Sequence, residues 1–207
     1  MNMILFEDRD ILVCLKPAGV IAEEGGMPAL LRAESGAKDI YCVHRLDRET
    51  AGLMVYAKTK AAAAALTAAL TAGRMEKDYL ALVQGTTPGK GEWRDLLYHD
   101  AQKNKSYVVR RERRGVREAM LRFETLQAKN GLSLVRVALE TGRSHQIRVQ
   151  FASRGFPLVG DRKYGSRYRT QPLALFACAL RFPHPRSGEM LSFEKEPDGA
   201  AWDMLEG

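Results

Sequence analysis

The run VHRLDRETAGLMVYAKTKAAAAALTAALTAG, residues 43 to 73, carries a loop, a strand and a helix in succession. Its middle, LMVYA at 53 to 57, is a short continuous apolar run and reads as a buried strand. Ahead of it Thr50-Ala51-Gly52 reads as a tight turn. Behind it Thr59 is placed to cap an alanine-rich helix, and Gly73 to end that helix in a left-handed conformation. An alanine stripe of this kind is a close-packing face. A strand joined by a tight turn on one side and to a helix on the other sets the pattern for the chain.

Upstream, ILFEDRDILVCLKPAG (4 to 19) reads as two strands broken at Glu7-Asp8-Arg9-Asp10 and closed by Pro17-Ala18-Gly19. Residues 22 to 40 read as a loop with a short helix over 28 to 33. Downstream, KDYLALVQG (77 to 85) is a strand ending in a glycine turn, and PGKGEW is a loop. The stretch from Lys103 to Arg122 is dense in basic residues, with SYVV and AMLRF as strands of a hairpin about Arg114-Gly115. LSLVRVALE (132 to 140) is a strand. TGR follows as a turn, and Ser144 is placed to cap a short helix ending at Gly155. Pro157, Gly160 and Gly165 punctuate a loop, and LALFACALRF and EMLSFEKE are a last strand pair joined by PHPRSG. The sum is an α+β fold, a mixed and mainly antiparallel central sheet with flanking helices and loops, in one domain over 1–207.

Composition agrees with a globular chain: 207 residues, 45% hydrophobic and 28% charged, with no repeat or low-complexity tract. Lys and Arg number 32 against 25 Asp and Glu, a net +7, which favours a polyanionic partner. Cys14, Cys42 and Cys178 form no CxxC pair, so neither a disulfide framework nor a zinc site is expected. No apolar run has the length of a signal peptide or a membrane span, and the expected location is cytoplasmic.

Three stretches carry candidate chemistry. Asp47 stands before the turn into the 53 to 57 strand, where a rigid scaffold can present one side chain. In LETGRSHQIR (139 to 148), Arg143 beside a glycine is placed to meet a carboxylate or phosphate with two bonds, while His145, Gln146 and Arg148 offer donors from a helix start. In Lys77-Asp78-Tyr79, strand alternation puts a cation and a stacking ring on one face. His44 reads as a histidine held by backbone hydrogen bonds that shapes the turn. Each of these, alone, also has an ordinary structural reading: a turn former, a surface ion pair, a half-buried tyrosine.

Taken together, HRLDRETAGLMV, KDYLALVQG and LETGRSHQIRVQFASRGFPLVGDRKYG, with ILFEDRDILVCLKPAG before and LRFPHPRSG after, resemble the successive motifs of RluA-type pseudouridine synthases. The resemblance spans nearly the whole chain and implies the pseudouridine synthase catalytic fold. It places the start of the chain directly at the catalytic domain, without the accessory RNA-binding domain many relatives carry. It implies an enzyme that converts selected uridines of structured ribosomal or transfer RNA to pseudouridine, as a monomer and without metal or other cofactor. By motif, Asp47 is the catalytic aspartate, acting at C1′ as nucleophile or at C2′ as base. Arg143 is its ion-pair partner, Tyr79 stacks on the target base, and Arg45 takes the space that the base leaves. Lys77, His145, Arg148, Arg162 and Lys163 are the expected RNA-binding residues, with the Lys103 to Arg122 stretch, Arg167 and Arg169 as further phosphate contacts. Ala51, Gln150 and Phe176 depart from the Ser, His and His that relatives usually carry there, which bears on the choice of RNA.

Three rivals use the same residues. A noncatalytic RNA-binding protein on this fold would need no acid beside an anionic backbone. A hydrolytic nucleosidase or nuclease would pair Asp47 with Glu49 or Asp161. A metal enzyme would draw on His44, His99, His145 and His184, which lack ligand spacing.

Overall fold

The structure is a computed structural model and describes residues 3–205. The chain divides into two compact units, the first running to Lys77 and taking in Phe176–Glu196, the second made of Asp78–Leu175 and the residues from Pro197 on.

In the first unit β1 (Ile4–Glu7) and β2 (Ile11–Lys16) form a hairpin. The Asp8 carboxylate closes its turn by accepting the N–H groups of Asp10 and Ile11 at 2.7 and 2.8 Å. After α1 (Met27–Ser35) and the two-residue β3 (Tyr41–Cys42), the central strand β4 (Ala51–Ala57) pairs antiparallel with both β2 and β3. β10 (Leu175–Pro183) lies parallel to β4 through Phe176 and Ala177, and β11 (Met190–Glu194) returns antiparallel along it. The close β4–β10 approach needs a glycine at position 52. Its φ is 126°, and a Cβ there would fall 2.4 to 2.8 Å from the Ala177 backbone. α2 (Lys60–Thr71) follows β4, with Thr59 Oγ1 capping the Ala62 N–H at 3.1 Å. Its Ala62 and Leu66 pack on Ile11, Val13, Leu53, Val55 and Phe182, so the alanine stripe is a packing face.

The second unit is an antiparallel ladder in the order β5 (Glu76–Gln84, from Asp78 on), β9 (Leu132–Leu139), β8 (Val116–Lys129), β6 (Lys90–Asp100), β7 (Lys105–Val109). α3 (Gln146–Ala152) sets Phe151 against the rings of Trp93 and Phe123, at 4.6 and 5.7 Å between centroids, and Val149 against Leu97 and Ala119. Mixed, mainly antiparallel sheet with three α-helices is the α+β class expected from the sequence.

Two local expectations fail. PGKGEW is a loop only as far as Gly89, because Lys90 to Trp93 pair with Glu124 to Leu121 and Gly91 makes room for the Phe123 ring. The segment about Arg114-Gly115 is no hairpin turn either. β7 and β8 both pair with β6, on its opposite edges, so the chain crosses from one edge to the other there. Among the described residues no helix is long and apolar enough to cross a membrane.

Candidate active site

Asp47 lies half-buried in the loop between β3 and β4. The turn is one step earlier than expected: the Thr50 N–H donates to the Asp47 carbonyl at 3.0 Å, and Ala51 and Gly52 already belong to β4. Three groups hold the loop. Leu46 is buried beside Asp47. His44 is buried too, its Nε2 accepting the Val55 N–H at 3.1 Å, which leaves the proton on Nδ1. Burial, with the charge of Lys77 second, pushes the His44 pKa down to about 3, so the ring is neutral and serves as a structural acceptor.

The third group is Lys16, a residue to which sequence reasoning gave no role. Its side chain is 1% exposed, and its ammonium donates to the carbonyls of Pro17, Val20 and Arg48 at 3.0, 2.7 and 3.2 Å. The same Arg48 carbonyl accepts the Gly19 N–H at 2.7 Å, and Arg48 Nε returns a bond to the Gly19 carbonyl at 2.9 Å. The Pro17 to Val20 turn and the Asp47 turn are thereby laced together. Burial lowers the Lys16 pKa to about 8, while the charges of Asp47 and Glu49 act in the opposite direction. A buried ammonium coupled to Asp47 favours the ionised carboxylate. The available signal was a lysine in an otherwise apolar strand, next to a Pro-Ala-Gly turn. Elsewhere in this unit, Arg45 is exposed and pairs with Glu23 at 3.1 Å, and burial lowers the pKa of the half-buried Lys77.

In the second unit Arg143 is exposed at the mouth of α3, its Nε bonded to the Glu118 carbonyl at 2.9 Å. Gln146, 2% exposed, organises this turn. Its Oε1 accepts the Arg143 N–H and the Thr141 hydroxyl at 3.0 and 2.8 Å, and its Nε2 donates to the Met120 carbonyl at 3.0 Å. Ser144 does not cap the helix as expected. His145 occupies that position with φ 55°, and the Ser144 carbonyl instead accepts the Ser106 hydroxyl. Tyr79, opposite Val137 in the β5–β9 ladder, is 5% exposed.

Two of the expected RNA-binding residues are internal. Arg148 makes a bidentate pair with Asp161 at 2.6 and 2.9 Å, the side chains 3% and 1% exposed. A guanidinium so enclosed cannot reach a phosphate. The same bond removes Asp161 as the second acid of a nuclease. His145 is also buried, its Nδ1 2.9 Å from the Tyr164 hydroxyl, which in turn accepts the Ser106 N–H at 2.7 Å. Burial first, then Arg148, brings the His145 pKa down to about 4, and the neutral ring is a packing element. Arg162 and Lys163 are exposed on the short 3-10 turn Arg162–Tyr164, with Lys163 Nζ bonded to the Asn104 carbonyl at 2.7 Å.

Among the described residues one trio, Asp8, Asp10 and His184, has the spacing of metal ligands. It does not fit that use. Arg186 covers both Asp10 oxygens at 2.6 and 2.8 Å, and His184 Nε2 is bonded to Asp8 at 2.8 Å.

Comparison with known proteins gives this geometry a class. A solved human structure, RNA Pseudouridylate Synthase Domain Containing 1, superposes with a TM-score of 0.80 at 26% identity, covering 94% of this chain and 82% of that one. A second, human RNA Pseudouridylate Synthase Domain Containing 4, shares the fold at 24% identity and a TM-score of 0.76 over 93% of this chain and 87% of its own. The fold is therefore that of pseudouridine synthases. Residues 10–153 match the model of the RNA pseudouridylate synthase family. Ribosomal large subunit pseudouridine synthase C of Salmonella typhimurium is 36% identical over 96% of this chain and 67% of its own length, and its Escherichia coli counterpart is 35% identical over 95% and 67%. The chain belongs to the RNA pseudouridylate synthase family, whose members are isomerases.

Proposed function

We propose that the chain isomerises specific uridines of structured RNA, ribosomal or transfer RNA, with Asp47 as the catalytic aspartate, Arg143 as the cation that keeps it ionised and Tyr79 as the ring against which the target base packs. The reaction breaks the N1–C1′ bond, forms C5–C1′, and passes the C5 hydrogen to solvent. A glycoside hydrolase needs a second carboxyl group to manage water and a departing alcohol. An isomerase that keeps its base needs neither, and one carboxylate suffices, attacking C1′ or taking a proton from C2′.

The observation that carries the reading is the Asp47 loop. It is laced by Lys16 to the Pro17–Val20 turn and by His44 to β4, and Lys16 places a buried positive charge in electrostatic contact with the acid. A loop that serves only as a turn needs no buried ammonium. Extruding the target base costs a few kcal/mol, which stacking on a ring offsets. Arg45, Lys77, Arg162 and Lys163 supply positive charge for the RNA backbone, the dominant source of affinity. The reading carries with it a monomeric, cytoplasmic enzyme that works without metal. Transcripts of large-subunit ribosomal RNA and of transfer RNA, incubated with the protein and digested to nucleosides, test it. Pseudouridine in one pool is the expected product, and free uracil or cut strands in its place would refute the isomerase assignment.

A further inference from the structure

The crossing between β7 and β8, RRERRGVR at 110 to 117, carries five arginines against one glutamate. It is an ordered segment. Arg113 Cζ lies 4.7 Å from the centroid of the Tyr98 ring, and a Cβ at Gly115, whose φ is 86°, would stand 3.5 Å from the same ring. The Val116 N–H closes the turn on the Arg113 carbonyl at 3.0 Å, and Arg117 Nη1 bonds the Val116 carbonyl at 3.2 Å. Two arginines are thus fixed while Arg110, Arg111 and Arg114 stand exposed around them.

Beside this turn lies a cleft of about 590 Å³ lined by Leu96, Glu112, Arg113, Val116, Arg117 and Glu118. That volume is in the range that takes a small ligand, roughly 300 to 1,000 Å³. Its lining is mixed in a telling way. Leu96 and Val116 provide apolar surface, the two guanidiniums provide donors and positive charge, and Glu112 provides an acceptor, while the Glu118 carboxylate is offset by Arg94 at 3.5 Å. A bare phosphate needs no apolar floor, and an apolar ligand needs no arginines. A nucleotide uses all three, with a base face, a base edge and a phosphate. The cleft also touches the catalytic machinery, since the Glu118 carbonyl holds Arg143 Nε.

Building on the functional reading above, we propose that this cleft is a subsite for a nucleotide flanking the target uridine, its base laid over Leu96 and Val116 and its phosphate held by Arg113 and Arg117. The turn then selects which RNA is accepted, and the three outer arginines contribute only diffuse attraction.

Filter binding of a structured RNA transcript across a salt series compares two double variants that each remove two positive charges, R113Q/R117Q and R110Q/R111Q. All four side chains are exposed, and matching urea midpoints verify folding. For the cleft variant the slope of log affinity against log salt should fall by about 1.4, at about 0.7 per single-strand phosphate contact, and affinity should drop at least ~10-fold. The outer variant should change far less. Equal changes in the two variants would reduce the patch to a solvated charged face and overturn the subsite. Displacement of the RNA by polyglutamate from wild type but not from the cleft variant would identify an acidic-peptide site, and would overturn it as well. Wild type that binds RNA with the predicted contrast but makes no pseudouridine would sink the catalytic reading while sustaining the subsite.

Discussion

Lowering the pH from 7 to 5 should destabilise this protein steeply, through two histidines held neutral. His44 and His145 have folded-state pKa values of about 3 and about 4 against an ordinary 6.5. Between those folded values and 6.5 the unfolded chain binds a proton at each site and the native chain does not. Stability therefore rises with pH across this window, is fully present above about 6.5, and is lost on acidification. Each bound proton costs about 1.4 kcal/mol per pH unit. Between pH 6.5 and 5 that amounts to roughly 2 kcal/mol per histidine and about 4 for the pair, a large part of a typical 5–15 kcal/mol total. Urea unfolding at pH 7, 6 and 5 measures it directly. His44→Gln retains an acceptor for the Val55 N–H, and His145→Asn retains a residue that tolerates positive φ. Each variant should remove about half of the pH slope, and the double variant most of it. Wild-type stability that is flat to within about 1 kcal/mol from pH 7 to 5, or a double variant with the full slope, would refute the burial argument.

The enclosed Arg148–Asp161 pair makes a second prediction: Arg148→Met alone should cost about 3 to 5 kcal/mol by stranding a buried carboxylate, and Arg148→Met with Asp161→Leu should recover most of it. A urea-based double-mutant cycle with simply additive losses would contradict that coupling. Arg143→Ala should lower single-turnover rate far more than RNA affinity, and parallel losses in both would oppose its role beside the reacting carboxylate. Tyr79→Phe should keep turnover within a few-fold of wild type. Tyr79→Ala should lose far more, by deleting both a packed ring and a stacking surface worth about 1 to 3 kcal/mol, with rates compared on samples shown to be folded.

Local chemistry was legible where the partners are close in sequence. The Asp8 turn, the Thr59 cap, the Gly73 stop with its φ of 68° and the β10–β11 hairpin all follow from residues a few positions apart. Strand pairing beyond that range was not. SYVV and AMLRF were correctly read as strands, but their common partner is β6, whose first residues carry the glycines that read as loop. The same limit governs the site. Motif order pointed to Asp47, Arg143 and Tyr79. What holds the Asp47 loop is Lys16, bonded to a carbonyl 32 residues away. Arg148, in a run of polar donors at a helix start, looked available for RNA, and the acid that encloses it comes from a loop beyond the end of its helix. Gln146 looked like another donor of that kind, and its amide instead ties the Arg143 turn to β8.

Because isomerisation replaces the hydrogen on C5 of the target uridine, tritium placed there reports the reaction without further chemistry. Unmodified bacterial RNA labelled at C5 of uridine, incubated with wild type and Asp47→Asn in the absence of added metal, is the most direct test of the account. Release of tritium by wild type and none by Asp47→Asn, with RNA affinity preserved in the variant, is the predicted result. Equal release by both proteins would contradict the central role of Asp47.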